Sequence, residues 1–136
     1  MEDEIIYNKA ESIKRCLESI RSNYNRSPAT FLEDYIRQDA ALLNLQRAAQ
    51  AAIDVAAHIV RLKKLDLPKE AKDLFVALHK ANILSEEIKK RMIGMVGFRN
   101  VAVHQYTELN MDTVVNIIES HLTDFEKFIR EILKAK

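Results

Sequence analysis

An arginine and a histidine in the last third of the chain, Arg99 and His104, are separated by four residues, and Tyr106 follows two positions later. An arginine guanidinium binds and neutralises a phosphate, and a histidine ring exchanges a proton near neutral pH. Metal-free cleavage of a phosphodiester bond requires both of these functions. The segment therefore predicts a site that cleaves RNA.

Each residue of this segment has a role in such a reaction. Neutral His104 would remove the proton from a ribose 2′-hydroxyl, and the protonated ring would then donate a proton to the leaving 5′-oxygen. The Arg99 guanidinium would stabilise the charge on the phosphoryl oxygens. Asn100 would orient the histidine or hold the phosphate, and Tyr106 would contribute a hydroxyl or stack on a base. The spacing alone is weak and is more often a helix end with exposed charges, and Tyr106 alone is more often a packing residue.

The angle between Arg99 and His104 limits how they act together. On a straight helix, five residues rotate about 500°, so the two side chains would point roughly 140° apart. They converge only if the helix bends or ends there, or if a second subunit completes the site. Gly94 and Gly97 weaken the helix just upstream and make a bend plausible.

Composition bounds the fold and the location. The chain has 136 residues, enough for one domain over residues 1–136, and 48% of them are apolar. With only 2 glycines and 2 prolines, the expected class is all-α. The net charge of +1 excludes nucleic-acid binding through the field of the whole protein, so any cations that bind RNA must be concentrated locally. The lone cysteine, Cys16, and the lack of a signal peptide or a membrane span predict a cytoplasmic protein.

Apolar residues that recur three and four positions apart predict the helices. The first covers about residues 3–24, and a short third helix has Pro68 in its first turn. Ser85 is the expected cap of the fourth helix and Asn110 that of the last, which continues almost to the C-terminus. Four main helices and a short one predict an antiparallel bundle, and residual apolar surface on so small a bundle favours a homodimer.

The second helix is predicted to begin at a capping box formed by Thr30 and Glu33 and to end near Lys63. Its first half has an apolar face, and its second half is rich in alanine. The expected apolar residues of the first half are Leu32, Tyr35, Ile36, Leu42 and Leu43.

A polar stripe runs along the second half of this helix. Its members share one face because they are three and four residues apart: Arg47, Gln50, Asp54, His58 and Arg61. The commoner interpretation of such a stripe is a solvated face or a polar contact in which Asp54 pairs with His58. The other interpretation is the opposite wall of a cleft, in which Arg47 or Arg61 contacts RNA. We expect His79 and His121 to be structural.

Residues 99–106 resemble the Arg-x4-His-x-Tyr signature of HepT-like toxins in the HEPN superfamily. The similarity also covers residues 31–39 and 44–60, and so spans nearly the whole chain. It implies a dimeric helical bundle with a composite cleft, and a metal-independent endoribonuclease that is the toxin of a toxin–antitoxin pair. Arg99 and His104 would be catalytic and Asn100 supporting. No cofactor and no metal site are expected.

The resemblance also implies a partner. The antitoxin of such a pair is a minimal, MntA-like nucleotidyltransferase that transfers AMP to the signature tyrosine, here Tyr106. Phosphates added beside Arg99 would occupy its anion site and obstruct RNA. An alternative function is a non-catalytic helical subunit that binds substrate or nucleotide for a minimal nucleotidyltransferase. Formation of 2′,3′-cyclic phosphate ends on RNA in the presence of a chelator distinguishes the two.

Overall fold

Helices account for nearly all of the chain in a computed structural model that describes residues 2–104 and 109–135. Within these described ranges, the six α-helices are α1 (Glu2–Asn25), α2 (Tyr35–Leu62), α3 (Ala71–Lys80), α4 (Glu86–His104), α5 (Met111–Ser120) and α6 (Leu122–Lys134). A short 3-10 helix, Pro28–Glu33, precedes α2. The predicted all-α class and bundle architecture are confirmed.

Helices α1 and α2 form a long antiparallel hairpin. Lys9 binds Asp54 at one end, and the side chain of Asn23 donates to the backbone carbonyl of Arg37 at the other. Small residues on α2 let α1 approach closely and are almost fully buried. They are Ala41, Ala48, Ala49, Ala51, Ala52 and Ala56. The predicted stripe of α1 is buried at Ile6, Ile13, Leu17, Ile20 and Tyr24.

The start of α2 differs from the prediction. Asp34 caps the helix, and its side chain accepts hydrogen bonds from the backbone of Ile36 and Arg37. Thr30 bonds instead to Ser27, within the turn that leads into the 3-10 helix. The Thr30–Glu33 capping box was therefore wrong, because these residues form a separate helical turn before α2.

The buried face of this region was also predicted in the wrong register. Tyr35 and Ile36 are 80% and 82% exposed, and Leu32 and Leu43 are exposed as well. Of the five predicted residues Leu42 is buried, and Phe31, which was not predicted, is buried too. The residues that turn inward at the start of α2 are polar ones, Arg37 and Gln38.

The Arg37 guanidinium is satisfied without a carboxylate. It donates to the backbone carbonyls of Asn23, Tyr24 and Ser27, and to side-chain oxygens of Asn23 and Thr30. It also lies 5.5 Å from the centre of the Phe31 ring, within the range of a cation–π contact. Arg37 therefore fastens the connection between α1 and α2.

Helices α3 and α4 begin at well-formed caps. Glu70 and Asp73 form a capping box at α3, so Pro68 lies before the helix and not in its first turn as predicted. Ser85 caps α4 as predicted, its hydroxyl accepting from the backbone of Ile88. The carboxylate of Glu131 on α6 accepts from both the backbone and the hydroxyl of Ser85, at 2.8 Å each. This contact ties the start of α4 to the end of α6.

The predicted last helix is broken in two. Asn110 caps α5 as predicted, accepting from the backbone of Asp112 at 2.8 Å. The helix then ends, and α6 restarts after His121, whose backbone angles are φ −125° and ψ 0°. Apolar side chains from every α-helix pack into one core. Among the described residues, no helix combines the length and apolarity needed to cross a lipid bilayer.

Candidate functional site

The predicted catalytic residues lie at the C-terminal end of α4. This helix is uninterrupted from Glu86 through His104, so Gly94 and Gly97 do not end it. Arg99 and His104 are consequently separated by about 7.5 Å along the axis and roughly 140° around it. On regular helix geometry, the two side chains of one chain therefore point in different directions.

Asn100 lies next to Arg99 and bonds to it. The Arg99 guanidinium donates a hydrogen bond of 3.2 Å to the side-chain oxygen of Asn100. Arg99 is half-buried, whereas Asn100 and His104 are exposed. In this structure Asn100 therefore contacts the predicted phosphate-binding group.

Exposed apolar side chains surround this segment of α4. Val101 is 37% exposed and Val103 is 47% exposed, while Ala102 between them is buried in the bundle. Tyr106, the predicted acceptor of AMP, lies outside the described residues, as do all of residues 105–108. The end of α4 thus presents a guanidinium, an amide, an imidazole and two valines on its exposed surface.

The polar stripe of α2 divides into two parts. Arg47, Gln50 and Asp54 line an open groove against α1, whereas Arg61 is exposed in the last turn of the helix and does not line it. Asp54 accepts from Lys9 at 3.2 Å and from Gln50 at 2.9 Å. The predicted pairing of Asp54 with His58 was wrong, because α1 supplies a cation that the sequence pattern of α2 alone does not reveal.

The groove between α1 and α2 has a volume of about 510 Å³. From α1 it receives Lys9, Ser12, Arg15, Cys16 and Ser19, and from α2 Asn44, Arg47, Gln50, Ala51 and Asp54. Burial raises the pKa of the Cys16 thiol above its ordinary value, and the charges of Arg47 and Arg15 act in the opposite direction. Sequence analysis missed Lys9, Arg15 and Asn44, although the polar residues of α1 recur at helical spacing.

The other histidines have structural surroundings. His79 bonds through Nδ1 to the carbonyl of Leu84 at 2.9 Å and lies 3.2 Å from Glu86 through Nε2. His121 Nδ1 lies 3.1 Å from Asp124. The buried Nε2 of His58 has no hydrogen-bond partner in the described part of the chain. In residues 2–104 and 109–135, no group of three or more His, Cys, Asp or Glu is arranged to hold a metal ion.

An all-helical bundle with an Arg-x4-His segment at the end of its fourth α-helix defines the class of protein. The sequence profile of the family described as "Ribonuclease HepT-like" matches residues 13–132. The chain belongs to this family. The resemblance and the ribonuclease class predicted from the sequence are therefore confirmed.

Individual relatives agree with this assignment. The chain is 42% identical to the mRNA nuclease HepT of Shewanella oneidensis over 98% of its own length and 99% of that protein. It is 30% identical to the tRNA nuclease HepT of Aphanizomenon flos-aquae, over 97% of this chain and 90% of that one. The solved structure of the tri-AMPylated Shewanella oneidensis HEPN toxin, in complex with MNT antitoxin, superposes with a TM-score of 0.91 at 42% identity, covering 97% and 98% of the two chains.

Proposed function

We propose that this HepT-like ribonuclease is the toxin of a toxin–antitoxin pair and that it cleaves RNA without a metal ion, through Arg99 and His104. The observation that carries the proposal is the Arg99–Asn100 pair, which presents an oriented guanidinium on the exposed end of α4, in a chain of a ribonuclease family. His104 transfers the protons of 2′-hydroxyl attack and of leaving-group departure. Arg99 stabilises the phosphoryl charge.

The active form in this proposal is a homodimer with a composite cleft. Because α4 is uninterrupted, Arg99 and His104 of one chain point in different directions, and a second chain resolves the mismatch. Val101 and Val103 are exposed on the same segment, and a second chain at this site would cover them. The substrate is RNA, as in the relatives named for mRNA and tRNA.

The proposed partner is a cognate nucleotidyltransferase antitoxin of the MntA type, which inactivates the toxin by transferring AMP to Tyr106. The AMPylated state and the MNT antitoxin of the Shewanella oneidensis complex support this assignment. Tyr106 follows His104 by two residues, so phosphates added there would lie beside the catalytic segment and repel an RNA backbone. We place the reaction in the cytoplasm, where RNA and ATP are both available. We also propose that residues 1–136 form a single domain.

Cleavage in the presence of a chelator tests the nuclease proposal. Wild-type protein with EDTA should convert RNA into fragments with 2′,3′-cyclic phosphate ends. His104→Ala should slow cleavage by roughly 10²–10⁴-fold, and Arg99→Ala by roughly 10²–10³-fold. Arg91→Ala, an exposed arginine on the same helix, is the matched control and should cleave normally. Cleavage that persists in the His104 variant, or that stops in EDTA, contradicts the proposal.

Intact-mass measurement tests the modification. Incubation with the cognate nucleotidyltransferase and ATP should add AMP units to the wild-type chain and none to Tyr106→Phe. Tyr35→Phe, at an 80% exposed tyrosine on α2, controls for modification of any accessible phenol. A mass shift that survives in the Tyr106 variant would reject this acceptor.

A further inference from the structure

The groove between α1 and α2 concentrates positive charge in a chain that has almost none overall. Its lining contains three cations, Lys9, Arg15 and Arg47, against one carboxylate, Asp54. The net charge of the whole chain is only +1. An electrostatic site for a polyanion must therefore be local, and in this groove cations from two helices face a common space.

Two of these cations are free to bind a ligand. Lys9 is engaged by Asp54 at 3.2 Å. Arg15 and Arg47 are exposed, and neither makes an ion pair or hydrogen bond to the described residues. The basic run on α4 offers a contrast, because Glu86 already lies 2.9 Å from Lys89 and 3.5 Å from Lys90. Both guanidinium groups of the groove are therefore unpaired among the described residues.

The rest of the lining suits a sugar–phosphate backbone. Hydroxyl and amide groups that bond phosphate and sugar oxygens come from Ser12, Ser19, Asn44 and Gln50. The apolar contribution is limited to Cys16 and Ala51. A protein partner would call for exposed aromatic or large aliphatic side chains at the centre of the contact. None lines the groove, so the lining favours a polyanion over a protein surface.

We infer that the α1–α2 groove is a second RNA-binding site, which holds the phosphate backbone of the substrate through Arg15 and Arg47. This inference rests on the proposed function, because it takes RNA as the ligand. The groove is built by α1 and α2 alone, whereas Arg99 and His104 lie on α4, so it is separate from the predicted catalytic residues. Without an aromatic side chain for stacking, the site reads backbone charge and not base sequence.

The first test measures binding of an RNA that cannot be cleaved. A 2′-O-methyl RNA lacks the attacking hydroxyl, so its fluorescence anisotropy reports binding regardless of catalysis. A plot of the logarithm of the association constant against the logarithm of salt concentration has a negative slope. The double variant Arg15→Gln/Arg47→Gln should make this slope less negative by about 1.4, the value for two lost contacts to a single strand. The double variant should lose the same factor in affinity for uridine-rich and for mixed RNA sequences.

The matched control removes the same charge outside the groove. Lys14→Gln/Arg26→Gln changes two exposed cations, one of them adjacent to Arg15 but on another face of α1. This variant should keep the wild-type slope. Equal slopes and affinities for the two double variants would overturn the inference.

The second test uses the wild-type protein, without any substitution. Cys16 is the chain's one cysteine and lies in the groove, so its alkylation by iodoacetamide reports occupancy at that place. Saturating 2′-O-methyl RNA should slow the alkylation several-fold. Unchanged alkylation would overturn the inference, as would protection that appears without RNA and grows with protein concentration, because the latter assigns the groove to a second copy. If RNA protects Cys16 but the protein does not cleave unmodified RNA, the proposed nuclease activity is refuted and the groove assignment stands.

Discussion

Arg99 donates a hydrogen bond of 3.2 Å to Asn100, its immediate neighbour on α4. The pair is at the helix surface, where a single hydrogen bond contributes little to folding. Its value is in orienting Arg99 before substrate binds, since electrostatic stabilisation works best from groups already in place.

We therefore expect Asn100→Ala to lower kcat for RNA cleavage about tenfold, a smaller loss than that of Arg99→Ala. Asn100→Asp has the same shape but places a negative charge beside the guanidinium, so it should lower kcat further and raise KM. Single-turnover rates and KM in EDTA measure both effects. Equal rates for the Ala and Asp variants would contradict the role of charge. As a control for folding, circular dichroism should show the wild-type helix content in both variants.

A second prediction concerns Arg37. Its guanidinium donates to three buried or part-buried backbone carbonyls in the connection between α1 and α2, and Arg37→Met would remove this donor from all three. The free energy of unfolding should fall by about 2–4 kcal/mol. Urea denaturation followed by circular dichroism measures the change. Arg26→Met, at an exposed arginine, is the control, and its free energy of unfolding should stay within about 0.5 kcal/mol of wild type. A similar loss of stability in both variants would argue against the Arg37 hydrogen-bond network.

Arg37 also explains why the start of α2 was predicted incorrectly. Pattern analysis assigns apolar side chains to the interior, and Tyr35 and Ile36 fit that rule, yet both face solvent. The inward positions belong to Arg37 and Gln38, whose polar groups are satisfied by carbonyls of the preceding turn. Those partners become visible only once α1 and the 3-10 helix are in place, so local periodicity could not reveal them.

Other parts of the fold were predictable because their signals are local. The stripe of α1, the cap at Ser85 and the cap at Asn110 each depend on residues within a few positions. The break at His121 was missed, because the apolar residues continue at helical spacing from Met111 to Ile132 and conceal a change of direction.

For the site, a short motif points to Arg99 and His104, whose catalytic roles stay predictions. The Lys9–Asp54 pair and the groove could be identified only from the three-dimensional structure, because Lys9 and Asp54 are 45 positions apart in the sequence.

A third prediction follows from Tyr24, whose hydroxyl donates to the Glu119 carboxylate. This hydrogen bond raises the pKa of Tyr24, because ionisation would place two negative charges together. The stabilisation is fully present below the unfolded-state pKa of about 10 and is lost as the pH rises through the higher folded-state pKa. Tyr24→Phe should therefore cost about 1–2 kcal/mol at neutral pH.

Above the ordinary pKa of tyrosine, the difference in unfolding free energy between wild type and Tyr24→Phe should shrink. Urea unfolding at several pH values between 7 and about 11 measures it. The exposed Tyr35→Phe is the control and should have little effect throughout. A difference for Tyr24→Phe that is constant over the whole range would show that the hydroxyl is not bonded to a carboxylate.

The last prediction tests whether two chains share one catalytic site. If Arg99 of one chain works with His104 of the other, a heterodimer of Arg99→Ala and His104→Ala has one site with both residues lost and one site intact. Random exchange makes about half of the dimers heterodimers, so the mixture should regain about a quarter of the wild-type rate. Rates measured before and after subunit exchange, with each variant alone as control, decide the point. Because α4 is uninterrupted between the two residues, an unrecovered rate despite verified exchange would mean that each site uses Arg99 and His104 of the same chain, brought together by a rearrangement of this helix.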